Sequence, residues 1–268
     1  MRVALLGVLF AALATAAAPS QTYPMRTPAP RTTSVPALRD LANGREIEER
    51  FRIGLDALAG RKYQDAAAEF ARIIALKPPE PKGSTAQYDL AIAYANLGRN
   101  DDAARCLRAA LALDPAFLAA MANLVSVDLA RGDLREARVT ADRYVALDPD
   151  SARALYSRGI VALQAGDART ARDDFGKLLH SNPAYAVAHY DLALAEERLS
   201  RYDAAERELR TALTLAPTYA RAQVALGAVL LKEGRRAEAR DAFAQASRNS
   251  ADPALQNLAA AMRDSIAI

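Results

Sequence analysis

Cysteine is nearly absent from this 268-residue chain. Cys106 stands alone, so no disulfide closes within the chain. It falls in a helical stretch beside Leu107, where a buried, inert thiol is expected. Tryptophan is missing and aromatics make up 6%, too little for a sheet-rich domain, whose strands favour aromatic and β-branched residues. The only histidines, His180 and His189, lie far from Cys106, so no metal-ligand spacing arises. No glycine-rich phosphate loop and no nucleophile elbow is present. The chain therefore reads as a non-enzyme with no cofactor, no metal and no catalytic residue.

Long apolar runs are equally scarce. The one example, Val3 to Ala14 behind Arg2, leads into Ala14-Thr15-Ala16, a small-x-small cleavage pattern. Even extended to Ala18 it falls short of the ~20 residues that span a bilayer. Residues 1–18 are expected to be a signal peptide cut near Ala16, with no integral span in the mature protein. The mature chain is then exported, periplasmic or extracellular. Concentrated basic charge is lacking too. Of the net +3, Arg2 supplies one charge and residues 19–45 supply three, from Arg26, Arg31, Arg39 and Arg45 against Asp40, which leaves −1 for everything from residue 46 onward. A nucleic-acid partner is not expected, because such proteins gather basic charge on the folded surface.

Residues 19–46 hold Pro19, Pro24, Pro28, Pro30 and Pro36 among alanine, serine and threonine. That composition reads as a disordered tether. Beyond it the chain becomes periodic. Pro115, Pro149, Pro183 and Pro217 recur every 34 residues, as do Ala103, Ala137, Ala171, Ala205 and Ala239. Gly98, Gly132, Gly166 and Gly234 keep the same step, with Ser200 filling the one gap. A fixed period of this length marks stacked helical repeats. Six units result: 47–80, 84–117, 118–151, 152–185, 186–219 and 220–253. Each holds two helices joined at the Gly or polar turn, the second ending near Pro, which cannot continue a helix. The extra residues around Pro78, Pro79, Pro81 and Gly83 predict a longer loop between the first two units. Residues 254–268 predict a capping helix and tail, needed to cover the last apolar face.

The units resemble tetratricopeptide repeats, whose pattern places small residues at repeat positions 8, 20 and 27. Position 8 here is Gly54, Ala91, Val125, Gly159, Ala193 and Gly227; position 20 is alanine in all six units, from Ala66 to Ala239. Position 24 is large, as Phe70, Leu107, Phe175, Leu209 and Phe243, except at Ala141, where Tyr144 at position 27 reads as an exchange of partners. Asp128 and Glu196 take position 11, usually tyrosine in the family, and either reach solvent or pair with neighbouring arginines.

The resemblance implies an all-α, right-handed superhelical solenoid of antiparallel helix pairs whose first helices line a concave groove. It also implies the groove residues. Phe51, Tyr88, Tyr156 and Tyr190 form an aromatic row beside Leu55, Ile92, Ser126, Ile160 and Leu194, flanked by Asn96, Asn123, Gln164 and Arg198. The expected partner is a protein or peptide segment. Only Asn123, Arg153 and Arg221 partly match the family's clamp for a terminal carboxylate, so that mode is not expected. The leading reading is a scaffold or adaptor in cell-envelope, pilus or secretion assembly. The alternatives are a self-associating homo-oligomeric module and an accessory subunit positioning a cell-wall-acting enzyme.

Overall fold

The computed structural model describes residues 35–266. The expected signal peptide and residues 19–34 of the expected tether lie outside the described residues. The chain divides into Met1–Leu41 and Ala42–Ile268, and the repeats occupy the second part. The described residues form thirteen helices and no strand. The first repeat is α1 (Val35–Ala59) and α2 (Tyr63–Ala75); the second is α3 (Lys82–Asn96) and α4 (Asn100–Leu113); the third is α5 (Leu118–Arg131) and α6 (Leu134–Leu147). The fourth is α7 (Ala152–Gln164) and α8 (Ala168–Ser181), the fifth α9 (Ala186–Arg198) and α10 (Tyr202–Leu215), and the sixth α11 (Ala220–Lys232) and α12 (Arg236–Asn249). A last helix, α13 (Pro253–Ser265), packs on α12.

Helix α1 begins at Val35, well before residue 47. The reason is local: Pro36 sits in the first turn, where its missing N–H costs nothing, and no proline follows it before the repeat. The expected loop between the first two repeats is present at residues 76–81, between α2 and α3.

From α2 onward each helix packs on the next in chain order, α1 meets α2 at Phe70, and in addition α5 touches α7, α7 touches α9 and α9 touches α11. Contact between successive first helices places them on the inner side of the curve, where spacing is shortest. The array is thus a right-handed superhelical solenoid of antiparallel pairs.

Size complementarity between positions 8 and 24 sets each pair. The position-20 alanines are fully buried at 0% exposure, letting two helices approach closely. Where position 8 is glycine, position 24 is phenylalanine lying flat against it. A Cβ added at Gly54, Gly159 or Gly227 would meet the ring of Phe70, Phe175 or Phe243 at 2.9, 2.5 and 2.7 Å. Where position 8 is alanine, the partner is leucine: Ala91 shares a cluster with Leu107, and Ala193 with Leu209. Where it is valine, the partner is alanine, Val125 with Ala141. The counterpart of Ala141 is therefore Val125, and Tyr144 packs separately with Met121, Leu155 and Leu178.

The turns repeat as closely. Gly98, Gly132, Gly166 and Gly234 all have positive φ, and Ser200 (φ 60°) and Arg61 (φ 57°) complete the set. The amide after each reaches back five residues, as Arg99 to the Tyr94 carbonyl at 2.9 Å, the bond that closes a Schellman turn. At the other end α13 is capped by Asp252, which accepts from the Ala254 amide at 2.9 Å, with Pro253 in its first turn.

Asp128 is wholly buried at 0% and accepts from Arg108 at 3.0 Å and Arg131 at 2.8 Å, so it pairs with arginines and does not reach solvent. Glu196 lies 3.6 Å from Arg201. His189 is a packing residue bonded on both ring nitrogens: Nε2 faces the Pro183 carbonyl at 3.0 Å and Nδ1 the Glu208 carboxylate at 2.6 Å. Gln223, its equivalent one repeat on, donates to the Pro217 carbonyl at 2.8 Å. Cys106 is half-buried, and burial with nearby Asp102 pushes its thiol pKa up.

Candidate functional site

The inner face is built from positions 5, 6, 9 and 2 of the first helices. Its aromatic row is less open than position 5 alone suggests. Tyr88, Tyr156 and Tyr190 are half-buried, and each ring leans on a second ring from the turn that ends its own repeat. Tyr88 meets Phe117 with centroids 4.9 Å apart, Tyr156 meets Tyr185 at 5.6 Å, and Tyr190 meets Tyr219 at 5.2 Å. Such tilted pairs are favourable arrangements of ring quadrupoles. Phe51, whose repeat ends in Glu80, packs inward on Phe70 at 6.1 Å. The turn rings are residues that the position-5 pattern misses. The chain itself carries the signal, since repeats with Ala122 or Val224 at position 5 end in Ser151 or Pro253.

The aliphatic row divides. Leu55 is 48% exposed, while Ile92, Ser126, Ile160 and Leu194 are half-buried, with Ser126 Oγ donating to its own helix at Ala122 O, 3.1 Å away. Of the flanking polar groups, Asn96 donates to the Ile92 carbonyl at 2.8 Å, Gln164 is exposed, and Arg198 donates to the Leu163 carbonyl. Asn123 accepts from Arg153 of the next repeat at 2.8 Å. Two named residues, Tyr190 and Leu194, line a cleft of about 240 Å³ between α9 and α11, with Ala193, Val224, Ala225 and Ala228 as apolar walls and Glu197 and Arg221 at its edge.

A polar seam runs along position 6. Asp191, buried, accepts from the Tyr156 hydroxyl at 3.0 Å. Burial pushes its pKa up to about 6, against the Tyr156 bond and the charge of Arg221. Burial first, then the charge of Asp191, push the Tyr156 and Tyr219 hydroxyls well above the usual phenol range. Tyr190 is raised for the same reasons. These rings stay neutral near pH 7 and offer O–H donors and apolar area, not charge. Among the described residues no cluster of His, Cys, Asp and Glu could hold a metal, and no helix is long and apolar enough to cross a membrane.

Fold and inner face together define a helical-hairpin solenoid whose first helices carry a row of half-buried aromatics beside an apolar cleft. Two family profiles, both described as tetratricopeptide repeat, match residues 51–116 and 156–220, and residues 98–158 and 198–262. The chain belongs to the tetratricopeptide repeat family, and its fold is that of a protein–protein interaction scaffold. Comparison with curated proteins finds no match. Among solved structures it is similar to the MamA protein, at 25% identity and TM-score 0.57 over 62% of this chain and 91% of that one. A tetratricopeptide repeat protein from Parabacteroides merdae matches at 17% identity and TM-score 0.61, over 82% of this chain and 100% of that one. YrrB, described as a tetratricopeptide repeat protein with an unusual peptide-binding site, matches at 17% and 0.58, over 73% and 100%.

Proposed function

We propose that this protein is an exported, non-catalytic adaptor that holds a segment of a partner protein along the first-helix face, in cell-envelope, pilus or secretion assembly. The observation that carries the reading is the cleft between α9 and α11, about 240 Å³ with apolar walls and one charge of each sign at its edge. A cleft of that size accepts one or two apolar side chains, and the edge charges orient the backbone that carries them. The neighbouring tyrosines add large, rigid contact area at low entropy cost. YrrB, of the same fold, carries a peptide-binding site by its description. Export rests on the sequence of residues 1–18, and N-terminal sequencing of the mature chain tests it: a start at Met1 overturns it.

Photo-crosslinking tests the groove. A crosslinking residue at Leu194, which lines the cleft, reports better than one at Tyr156, whose hydroxyl is already bonded to Asp191. The expected result is one specific adduct from the native host, lost when Tyr190→Ala is added. Adducts with the protein itself alone transfer the reading to self-association. No adduct, with Leu55 giving none either, removes the first-helix face as the working surface.

A further inference from the structure

The position-6 seam supplies two kinds of donor to its polar residues. One comes from position 5 of the preceding repeat, as the Tyr156 hydroxyl to Asp191 at 3.0 Å. The other comes from position 2 of the following repeat, as Arg153 to Asn123 at 2.8 Å; Arg221, also at position 2, acts on Asp191 through its charge. Asp89 is the position-6 residue of the second repeat and stands where both devices fail. Its preceding position 5 is Phe51, a ring with no donor that packs into the cluster holding Ala86 and Leu90 of α3. Its following position 2 is Ala119.

The consequence is visible in the structure. Asp89 is 7% exposed, and its carboxylate has no hydrogen-bond partner among the described residues. Arg153, which acts on the adjacent Tyr88 hydroxyl, donates to Asn123 instead. The fully sealed carboxylate oxygens without a hydrogen bond are Glu196 Oε2 and Glu233 Oε1; those of Asp89 are not among them, and the residue keeps 7% of its surface exposed. Burial alone pushes its pKa up, to about 7, with no nearby cation opposing the rise. A buried carboxylate left without a donor costs free energy that an incoming donor recovers.

We propose that Asp89 is a specificity residue of the groove, accepting a lysine or arginine side chain from the partner segment. The inference rests on the groove reading above and adds the chemistry of one side chain of the occupant. The ammonium or guanidinium supplies from outside the cation that Arg221 supplies from within at Asp191. Its charged hydrogen bond to a desolvated carboxylate is of the stronger class.

The test uses the full chain and a library of N-acetylated synthetic dodecapeptides, each with an apolar and tyrosine background and one scanned position. That position carries Lys, Arg, norleucine, Gln or Glu, and binding is read by fluorescence anisotropy. The wild type is expected to bind the best Lys or Arg peptide about 10-fold or more tighter than its norleucine counterpart. Asp89→Asn should lose that preference, keep its affinity for the norleucine peptide, and melt no lower than the wild type. Ala119→Arg, which supplies the missing internal cation and leaves Asp89 in place, should lose the preference too. Three results overturn the proposal while leaving the groove standing: a basic preference that survives in both variants, a wild-type preference for Glu or norleucine, or tighter binding of a peptide of residues 19–34, whose Arg26 and Arg31 would make this chain its own ligand. Failure of every peptide to bind overturns both readings at once.

Discussion

Three of the six helix pairs are closed by a glycine under a phenylalanine ring, two by alanine under leucine and one by valine against alanine. The sum of the two side chains is held roughly constant, as dense packing demands. This makes a sharp prediction at Gly159, where an added methyl would lie 2.5 Å from the Phe175 ring. Gly159→Ala should destabilise the fold by about 1–3 kcal/mol through overpacking. Phe175→Leu in the same chain should restore most of that loss, because alanine with leucine is the pairing used at Ala91 and Leu107. A double-mutant cycle by urea denaturation measures the coupling, and additive effects would refute the pairing. Asp89 gives a second prediction at this scale. A carboxyl whose folded pKa is about 7, above the unfolded ~4, binds its proton more readily in the folded state. It therefore favours folding in acid, and that advantage is lost as pH rises through about 7. Stability should fall between about pH 4 and pH 7, and Asp89→Asn should flatten the fall. Asp191, raised to about 6, leaves a residual slope. Unfolding at pH 5 and pH 8 decides; an unchanged slope in Asp89→Asn would mean that Asp89 is ionised freely.

At the scale of the element, the fifth and sixth repeats each tie themselves to the one before through a polar residue at position 4. His189 faces the Pro183 carbonyl and Gln223 donates to that of Pro217, so the carbonyl exposed where a helix stops finds its donor on the following first helix. His189→Gln, which keeps a donor for that carbonyl as Gln223 does one repeat on, should cost less than His189→Leu. His189→Leu should cost about 1–3 kcal/mol by leaving that carbonyl without its donor. Equal losses from both variants, measured by thermal melting, would show that the ring's packing matters and its bond does not. The turns offer a stabilising change. Ser200 holds φ at 60°, where a side chain is strained and glycine is not. Ser200→Gly should stabilise by up to about 1 kcal/mol; a loss would mean that the serine has a compensating contact.

The whole array is a one-dimensional stack, so its ends carry a cost its middle does not. Met262 of α13 and Ile266, the residue that ends it, cover the sixth repeat by joining the cluster of Phe243, Leu230 and Val229. Removal of residues 253–268 should uncover that apolar face. The expected outcome is a melting temperature lower by roughly 5 °C or more, together with self-association seen by light scattering. A truncated chain that stays monomeric and melts unchanged would deny α13 its capping role.

Period, register and pairing of helices were legible in the amino-acid sequence, because each depends on residue size at fixed spacing and every repeat restates it. The six fully buried alanines and the positive-φ turn glycines are local requirements of close approach and chain reversal. The tertiary structure alone decided how open the inner face is. Tyr88, Tyr156 and Tyr190 are half-covered because a second ring returns from a turn almost 30 residues later, a contact made only once the chain has curved. It decided likewise that Asp191 is satisfied and Asp89 is not. Both are aspartates at one repeat position, and what separates them is the donors that folding brings from the neighbouring helices.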